Sequence, residues 1–186
     1  MEKLIFELNQ LKDTEINPAA IKQLLQSIDC KYLKFIGYRR TLRGRGYKRI
    51  KLPVLPVEAL IMIWPPKVAS AIHSHHNYWG YVKILEGNAM EDNYIIEGKQ
   101  PVKIESRLLR TGSLVQEQEG AVHCIRNVSE YERLVTLHVY YPPQRSLAHT
   151  ALFDLENNRF GILNEQAVNA SWNEPGSSFF TIANIN

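Results

Sequence analysis

Two hydrophobic rhythms divide this chain of 186 residues. Near the start, apolar positions recur at helical spacing. Leu4, Ile5, Leu8 and Leu11 share one face over residues 2–12, and Ile21, Leu24, Leu25 and Ile28 share one over residues 19–28. Asn17-Pro18 between them reads as an N-cap followed by proline at the first helical position. The second helix is expected to stop near Asp29-Cys30, and a further short helix or turn is predicted over residues 31–36. Such segments predict an amphipathic layer that covers one face or edge of a sheet.

From residue 58 to about 163 the rhythm shortens to apolar, β-branched and aromatic runs broken by turns. Strands are predicted over 59–64, 80–85, 89–96, 102–109, 113–116, 121–127, 134–141, 151–154 and 159–162. Turn signals such as Glu86-Gly87-Asn88, Glu97-Gly98-Lys99 and Glu119-Gly120 separate them. Short strands at this spacing predict an antiparallel sandwich or barrel. Pro53 and Pro56 predict an irregular or edge segment before the first of them. The chain after Asn164 reads as irregular cover, with Trp172, Phe179 and Phe180 available to pack on the barrel. The expected fold is mostly β, a small barrel or jelly roll with an N-terminal helical layer. The expected organisation is one domain: helices over 1–37, barrel over 38–163, cover over 164–186.

Composition narrows the classes. Apolar residues at 45% and charged residues at 22% are ordinary for a soluble globular protein. A net charge of +3 is too small to argue for nucleic acid or an anionic membrane. Residues 38–49 are rich in arginine, but nucleic-acid binding would want a longer basic stripe with stacking aromatics. Most of that stretch reads as a solvated loop; one arginine could instead turn inward to grip a carboxylate. No apolar run is long enough to span a membrane, and the N-terminus lacks a signal-peptide core. Cys30 and Cys124 show no pairing pattern, which fits a reducing cytoplasm. No protein partner is implied.

Candidate chemistry begins at His73 and His75. Residues two apart on a strand point to the same face, so both rings can meet one ion. A third candidate, His123, lies in Gly112-x5-Gln118-x-Gly120-x2-His123-x3-Asn127. Together the two stretches resemble the two motifs of the cupin superfamily. Gln118 replaces that family's proline, Lys67 stands at its first glycine, and Gly80 stands where it has a carboxylate ligand. The resemblance therefore implies three neutral histidines and no acid.

A three-histidine site of this kind resembles the cysteine dioxygenase family. The likeness runs through residues 38–163. It is carried by Ile72-His73-Ser74-His75, Lys83-Ile84-Leu85-Glu86-Gly87-Asn88, Val122-His123-Cys124-Ile125-Arg126-Asn127-Val128-Ser129 and Thr136-Leu137-His138-Val139-Tyr140-Tyr141-Pro142-Pro143. The last of these matches the family's Ser-x-His-x-Tyr, with Thr136 for serine. The resemblance implies Fe(II) held by His73, His75 and His123. It implies a Tyr140 hydroxyl aimed at thiol and oxygen, oriented by His138 and Thr136. The family's Tyr-x-Arg, whose arginine takes the substrate carboxylate, is matched by Tyr47-Lys48-Arg49 and by Tyr38-Arg39-Arg40. Spacing to His73 favours Arg49, with Tyr47 beside it; Arg40 is the alternative. Gly80 replaces the cysteine that animal members join to the tyrosine, so no crosslink is expected. Leu147 replaces a pocket cysteine, and a cis bond is expected before Pro142. Relatives acting on mercaptopropionate lack the prolines and carry Gln at the arginine position, which favours cysteine here.

The residues bear this chemistry out on general grounds. Three imidazoles on one face leave the opposite face of a metal open, as in non-haem Fe(II) oxygenases. Without a carboxylate ligand the ion keeps its charge and lowers the pKa of a coordinated thiol. Two oxygen atoms added to sulfur give a sulfinate. On affinity alone the histidines would also accept Zn, Ni or Cu. No dinucleotide fingerprint is present. The expected reaction is L-cysteine and O2 to cysteine sulfinate. The alternatives are another small thiol, such as 3-mercaptopropionate or cysteamine, and a non-catalytic metal- or ligand-binding cupin. His76 and His149 read as surface, and Cys124 as facing away from the metal. Trp64 and Tyr78 read as packing or pocket wall.

Overall fold

The computed structural model describes residues 2–30 and 46–185. The predicted helix or turn over 31–36 and the alternative arginine Arg40 lie outside the described residues. Helices α1 (Glu2–Asn9) and α2 (Pro18–Ser27) flank a single 3-10 turn at Asp13–Glu15. The cap of α2 is the expected one: Asn17 Oδ1 accepts from the Ala20 N–H at 3.0 Å, and Pro18 opens the helix. No helix among the described residues is long and apolar enough to cross a membrane.

Two antiparallel sheets follow. One contains β1 (Lys48–Lys51), β2 (Glu58–Trp64), β4 (Trp79–Glu86), β7 (Leu114–Glu117) and β9 (Leu134–Tyr141), in the order β1-β2-β9-β4-β7. The other contains β3 (Ile72–Ser74), β5 (Asn88–Glu97), β6 (Gln100–Arg110), β8 (Val122–Asn127), β10 (Ala151–Asp154), β11 (Arg159–Leu163) and β12 (Phe179–Asn184). Its order is β12-β11-β10-β3-β8-β5-β6. The chain is mostly β, a small jelly roll with an N-terminal helical layer, as expected.

The five-stranded sheet is buried on both faces, which is why β2 and β9 read as nearly continuous apolar runs. Ala59, Ile61, Ile63, Val135, Leu137, Val139, Tyr81 and Leu85 pack outward with Leu4, Leu8, Ile21 and Leu25 of the helices. The alternate residues Leu60, Met62, Trp64, Val82, Ile84, Leu134 and Tyr140 fill the interior with Val115 and Ile125. Lys83 belongs to the outward set. It is buried, and its Nζ donates to the Leu25 and Ile28 carbonyls, both at 2.6 Å, at the end of α2.

Two strands depart from expectation. Lys48–Lys51, read as part of a basic loop, pairs with β2 as an edge strand. Its charges are what an edge strand carries against further pairing. The tail is not wholly irregular: Phe179–Asn184 pairs with β11 and ends the larger sheet. The Tyr141–Pro142 bond is cis, as is Leu55–Pro56.

Candidate metal centre and pocket

His73 sits in β3 directly opposite His123 in β8. His75 follows β3 and stays in register through its N–H to the Ala121 carbonyl at 2.9 Å. One ring nitrogen from each of the three imidazoles lies within 4.8 Å of the others. His73 Nδ1 donates to the Ala71 carbonyl at 3.0 Å, since a carbonyl can only accept. That leaves Nε2 unprotonated. His123 Nδ1 donates to Glu91 Oε1 at 3.0 Å, with the same result. Glu91 is held in turn by Arg107, whose Nη2 donates to Oε2 at 2.7 Å. His75 Nε2 and His123 Nε2 face each other at 3.0 Å.

Burial first, and then the charge of His123, lowers the His73 pKa to about 3. The same two causes push His75 well below the usual histidine range. His123 differs. Burial works against its charge, but Glu117 and Glu91 outweigh it and raise its pKa. Two neutral imidazoles and a third that donates Nδ1–H to a carboxylate present a donor set suited to a divalent ion. The residues therefore fit a bound metal.

The three histidines form their group without a carboxylate, but one stands beside them. Glu117 ends β7 directly opposite Gly80 on β4 and is buried. Its Oε1 is 3.4 Å from His123 Nε2, and its Oε2 is 3.5 Å from His75 Nδ1. The Tyr140 hydroxyl acts on it as a hydrogen-bond donor. Burial raises its pKa to about 7, opposed by His123 and reinforced by Glu91. Glu91 and Glu117 with His123 form a second group of ligand atoms within 4.8 Å of one another.

On β9 the alternating Thr136, His138 and Tyr140 make the expected row, and the row begins one residue earlier in space. Trp64 Nε1 lies 2.9 Å from Thr136 Oγ1, Thr136 Oγ1 lies 2.8 Å from His138 Nε2, and His138 Nδ1 lies 2.7 Å from the Tyr140 hydroxyl. An indole can only donate. Thr136 therefore accepts from Trp64, and its own proton can go to His138 Nε2. Burial, and then Arg49, pushes His138 well below the usual range, so it is neutral, and with Nε2 accepting from Thr136 its one proton sits on Nδ1. That proton goes to the Tyr140 oxygen, and the Tyr140 proton is left to point elsewhere. Burial first and Glu117 second hold the phenol well above its ordinary pKa. Trp64, expected to be packing, is thus also the hydrogen-bond donor at the head of the row.

One pocket is lined by His73, His123, Tyr140, Arg49, Tyr47 and Leu147, together with Trp64, Tyr78, His138 and Gln144. Arg49 comes from β1, and its Nη1 donates to the Val168 carbonyl at 3.1 Å. Among the described residues no carboxylate pairs with it. The Tyr47 hydroxyl accepts from the Ala170 N–H at 2.8 Å, and its ring lies 4.3 Å from that of Trp64. His76 is exposed and bonded to Asn77, while His149 stacks on Phe180. The Cys124 thiol, bonded to the Ser70 carbonyl, is pushed up to about 11 by burial.

Glu91 and Glu117 are absent from the motif reading for a shared reason. Glu117 occupies an unspecified position of the Gly112-x5-Gln118 segment, and both glutamates approach the histidines through cross-strand pairing. A strand prediction reaching Glu117 rather than stopping at residue 116 would have shown it on the inner face beside Val115.

A family model described as cysteine dioxygenase type I matches residues 3–151. Cysteine dioxygenase type 1 of Homo sapiens is 27% identical over 189 residues, covering 90% of this chain and 91% of that protein. Cysteine dioxygenase type 1 of Danio rerio is 29% identical over 163 residues, covering 78% and 76%. Among solved structures, a sugar phosphate isomerase from a cupin superfamily of Silicibacter pomeroyi is 12% identical. It has a TM-score of 0.47, covering 75% of this chain and 76% of that one.

Proposed function

The chain belongs to the cysteine dioxygenase type I family, and from that premise we propose that it is an iron(II) dioxygenase of a small carboxylate-bearing thiol. The thiol is L-cysteine and the product cysteine sulfinate. The observation that carries this reading is the single pocket shared by two imidazoles of the histidine cluster, the Tyr140 hydroxyl and the Arg49 guanidinium.

His73, His75 and His123 would hold the metal through Nε2. Iron(II) bound there would supply a Lewis-acidic centre for a thiolate and a redox partner for dioxygen. Arg49 binds the substrate carboxylate with its fork of N–H donors, and Tyr47 braces the wall beside it. Tyr140, kept protonated by burial, offers its hydroxyl to the reacting sulfur and oxygen. His138 and Thr136 hold that hydroxyl in place. The overall change balances without an external reductant: RSH + O2 gives RSO2H. Sulfur loses four electrons and the two oxygen atoms gain them.

Arg49 favours a thiol with a carboxylate over cysteamine. 3-Mercaptopropionate keeps the carboxylate and lacks the amino group, so it is the competing substrate. A single domain and a cytoplasmic setting, read from the sequence, belong to the same proposal. The test is anaerobic loading with Fe(II), then oxygen uptake with cysteine, 3-mercaptopropionate and cysteamine, with product masses measured. Cysteine is expected to gain two oxygen atoms and to turn over fastest. No thiol-dependent uptake by iron-loaded protein would sink the catalytic reading and leave a metal-binding protein.

A further inference from the structure

One edge of the seven-stranded sheet takes no part in the chemistry of the pocket. Strand β12 pairs with β11 on one side and has no strand on the other. Its register with β11 fixes which backbone groups are used. The Ile185 N–H donates to the Asn158 carbonyl at 3.1 Å, and Ala183 stands opposite Phe160 and Thr181 opposite Ile162. In an antiparallel ladder, hydrogen-bonded and non-hydrogen-bonded pairs alternate. Residues 181, 183 and 185 therefore turn their N–H and C=O groups toward β11. Ile182 and Asn184 turn theirs to the open side, where neither has a backbone partner among the described residues.

An open edge is a template for further pairing, and proteins blunt it with charge, proline, short length or an inward-pointing charge. The other edges of the two sheets are blunted in this way. Strand β1 carries Lys48 and Lys51, β6 carries Lys103 and Arg107, and β7 is a four-residue strand that ends in the buried Glu117. Strand β12 has no charge and no proline, and five of its six residues are exposed. Its one irregularity, a register shift at Leu163, lies at the start of the strand and leaves 181–184 regular. The charge opposite Asn184, Arg159, is already paired with Asp154 at 2.9 Å. Two copies of this edge can therefore meet without like charges facing each other, which two copies of β1 could not do.

We propose that β12 is a self-pairing edge, through which two copies of this chain join about a two-fold axis. The two strands run antiparallel. Ala183 lies on the axis opposite its own copy, and Ile182 of each chain exchanges both backbone bonds with Asn184 of the other. This register uses only the groups that the fold leaves open. A second copy fits better than an unrelated strand, because the donors and acceptors of 182 and 184 match themselves under the two-fold. The two large sheets become one across the axis. The contact is short, so it belongs with weak interfaces of less than about 1,200 Å², and the dimer forms as concentration rises.

Sedimentation velocity on the full chain over a wide concentration range tests this, with amide hydrogen exchange on the same samples. Monomer is expected to give way to dimer, and the Ile182 and Asn184 amides to exchange at least about tenfold more slowly in the dimer. Two variants follow. Ile182→Lys sets a charge on the edge. Asn184→Pro deletes an N–H that β11 does not use, so the strand keeps its own ladder. Both should stay monomeric where wild type dimerises, with a wild-type circular dichroism spectrum. A wild-type chain that is monomeric throughout overturns the proposal. So does a dimer in which exchange at Ile182 and Asn184 does not change with concentration, or one that both folded variants keep; either result puts the contact on another face. The exchange measurement uses wild type alone, so it decides the matter even if a variant fails to fold.

Discussion

The Trp64 indole N–H donates to the Thr136 hydroxyl at 2.9 Å, although the two residues are 72 positions apart. An indole nitrogen cannot accept, so this bond runs one way; with the Thr136 proton given to His138 Nε2, the His138 proton sits on Nδ1 and faces the Tyr140 oxygen. In that arrangement the Tyr140 proton points away from His138, and the row is headed by a donor on the neighbouring strand.

Trp64→Phe is expected to slow turnover about tenfold or more through loss of that direction, while Tyr140→Phe, which removes the donor itself, should cost about 10²–10⁴-fold in kcat. Iron content should stay at the wild-type level in both, since neither residue belongs to the histidine cluster. Iron assay beside oxygen uptake checks this. Wild-type kcat in iron-loaded Tyr140→Phe would remove tyrosine from the reaction.

Arg49→Met tests recognition of the substrate carboxylate. Charge-assisted hydrogen bonds contribute about 1.5–3 kcal/mol, so KM for cysteine should rise roughly 10–150-fold. Cysteamine, which has no carboxylate, should be used no worse than before. Steady-state kinetics on the two thiols give the comparison, and equal losses on both would point to a structural role for the arginine. Arg49 also ties β1 to the Val168 carbonyl, and such equal losses would report that tie.

Gly80 cannot take even a methyl group without moving Tyr140 or the Val139 carbonyl. Gly80→Ala should destabilise the fold by about 1–3 kcal/mol, the usual range for overpacking, and should lower kcat through the displaced tyrosine. A melting curve measures the first effect. The native chain should also show the full mass of its sequence. Cys30 packs with the cluster beneath the helices and Cys124 is bonded to Ser70, so neither thiol is placed to join Tyr140. A loss of two hydrogens mapped to Tyr140 would contradict this.

Lys83→Met removes an ammonium that ends helix α2 while keeping most of the buried stem. Two carbonyls, Leu25 and Ile28, lose their donor at once. A cost of about 2–3 kcal/mol is expected from the strength of hydrogen bonds to charged groups, read as a lower denaturation midpoint. Metal content should not change, because Lys83 points to the face of the sheet opposite the histidines.

What was legible in the chain was what a strand displays within itself. His73 with His75, and Thr136 with His138 and Tyr140, follow from alternation alone, and the change from helical to strand rhythm marks the helical layer and the jelly roll. Glu117 and Glu91 were hidden because their meaning lies in register. One stands opposite Gly80, and the other, two places along from the residue opposite His123, reaches back to its imidazole. The strand at Lys48–Lys51 was hidden by its own charges, and Phe179–Asn184 by the irregular stretch that separates it from its partner β11. Trp64 looked like packing because its ring does pack; its one polar atom finds its acceptor on a strand far away in sequence.

The three imidazoles differ in what a single codon change can do to them. His73 is oriented by the main-chain carbonyl of Ala71, which every amino acid possesses, so mutation has little hold on it. His123 is oriented by Glu91, and Glu91 by Arg107 at the rim of the sheet. Substitutions at those two side chains can graduate the basicity of one ligand while leaving another untouched. The site thus has a fixed corner and an adjustable one.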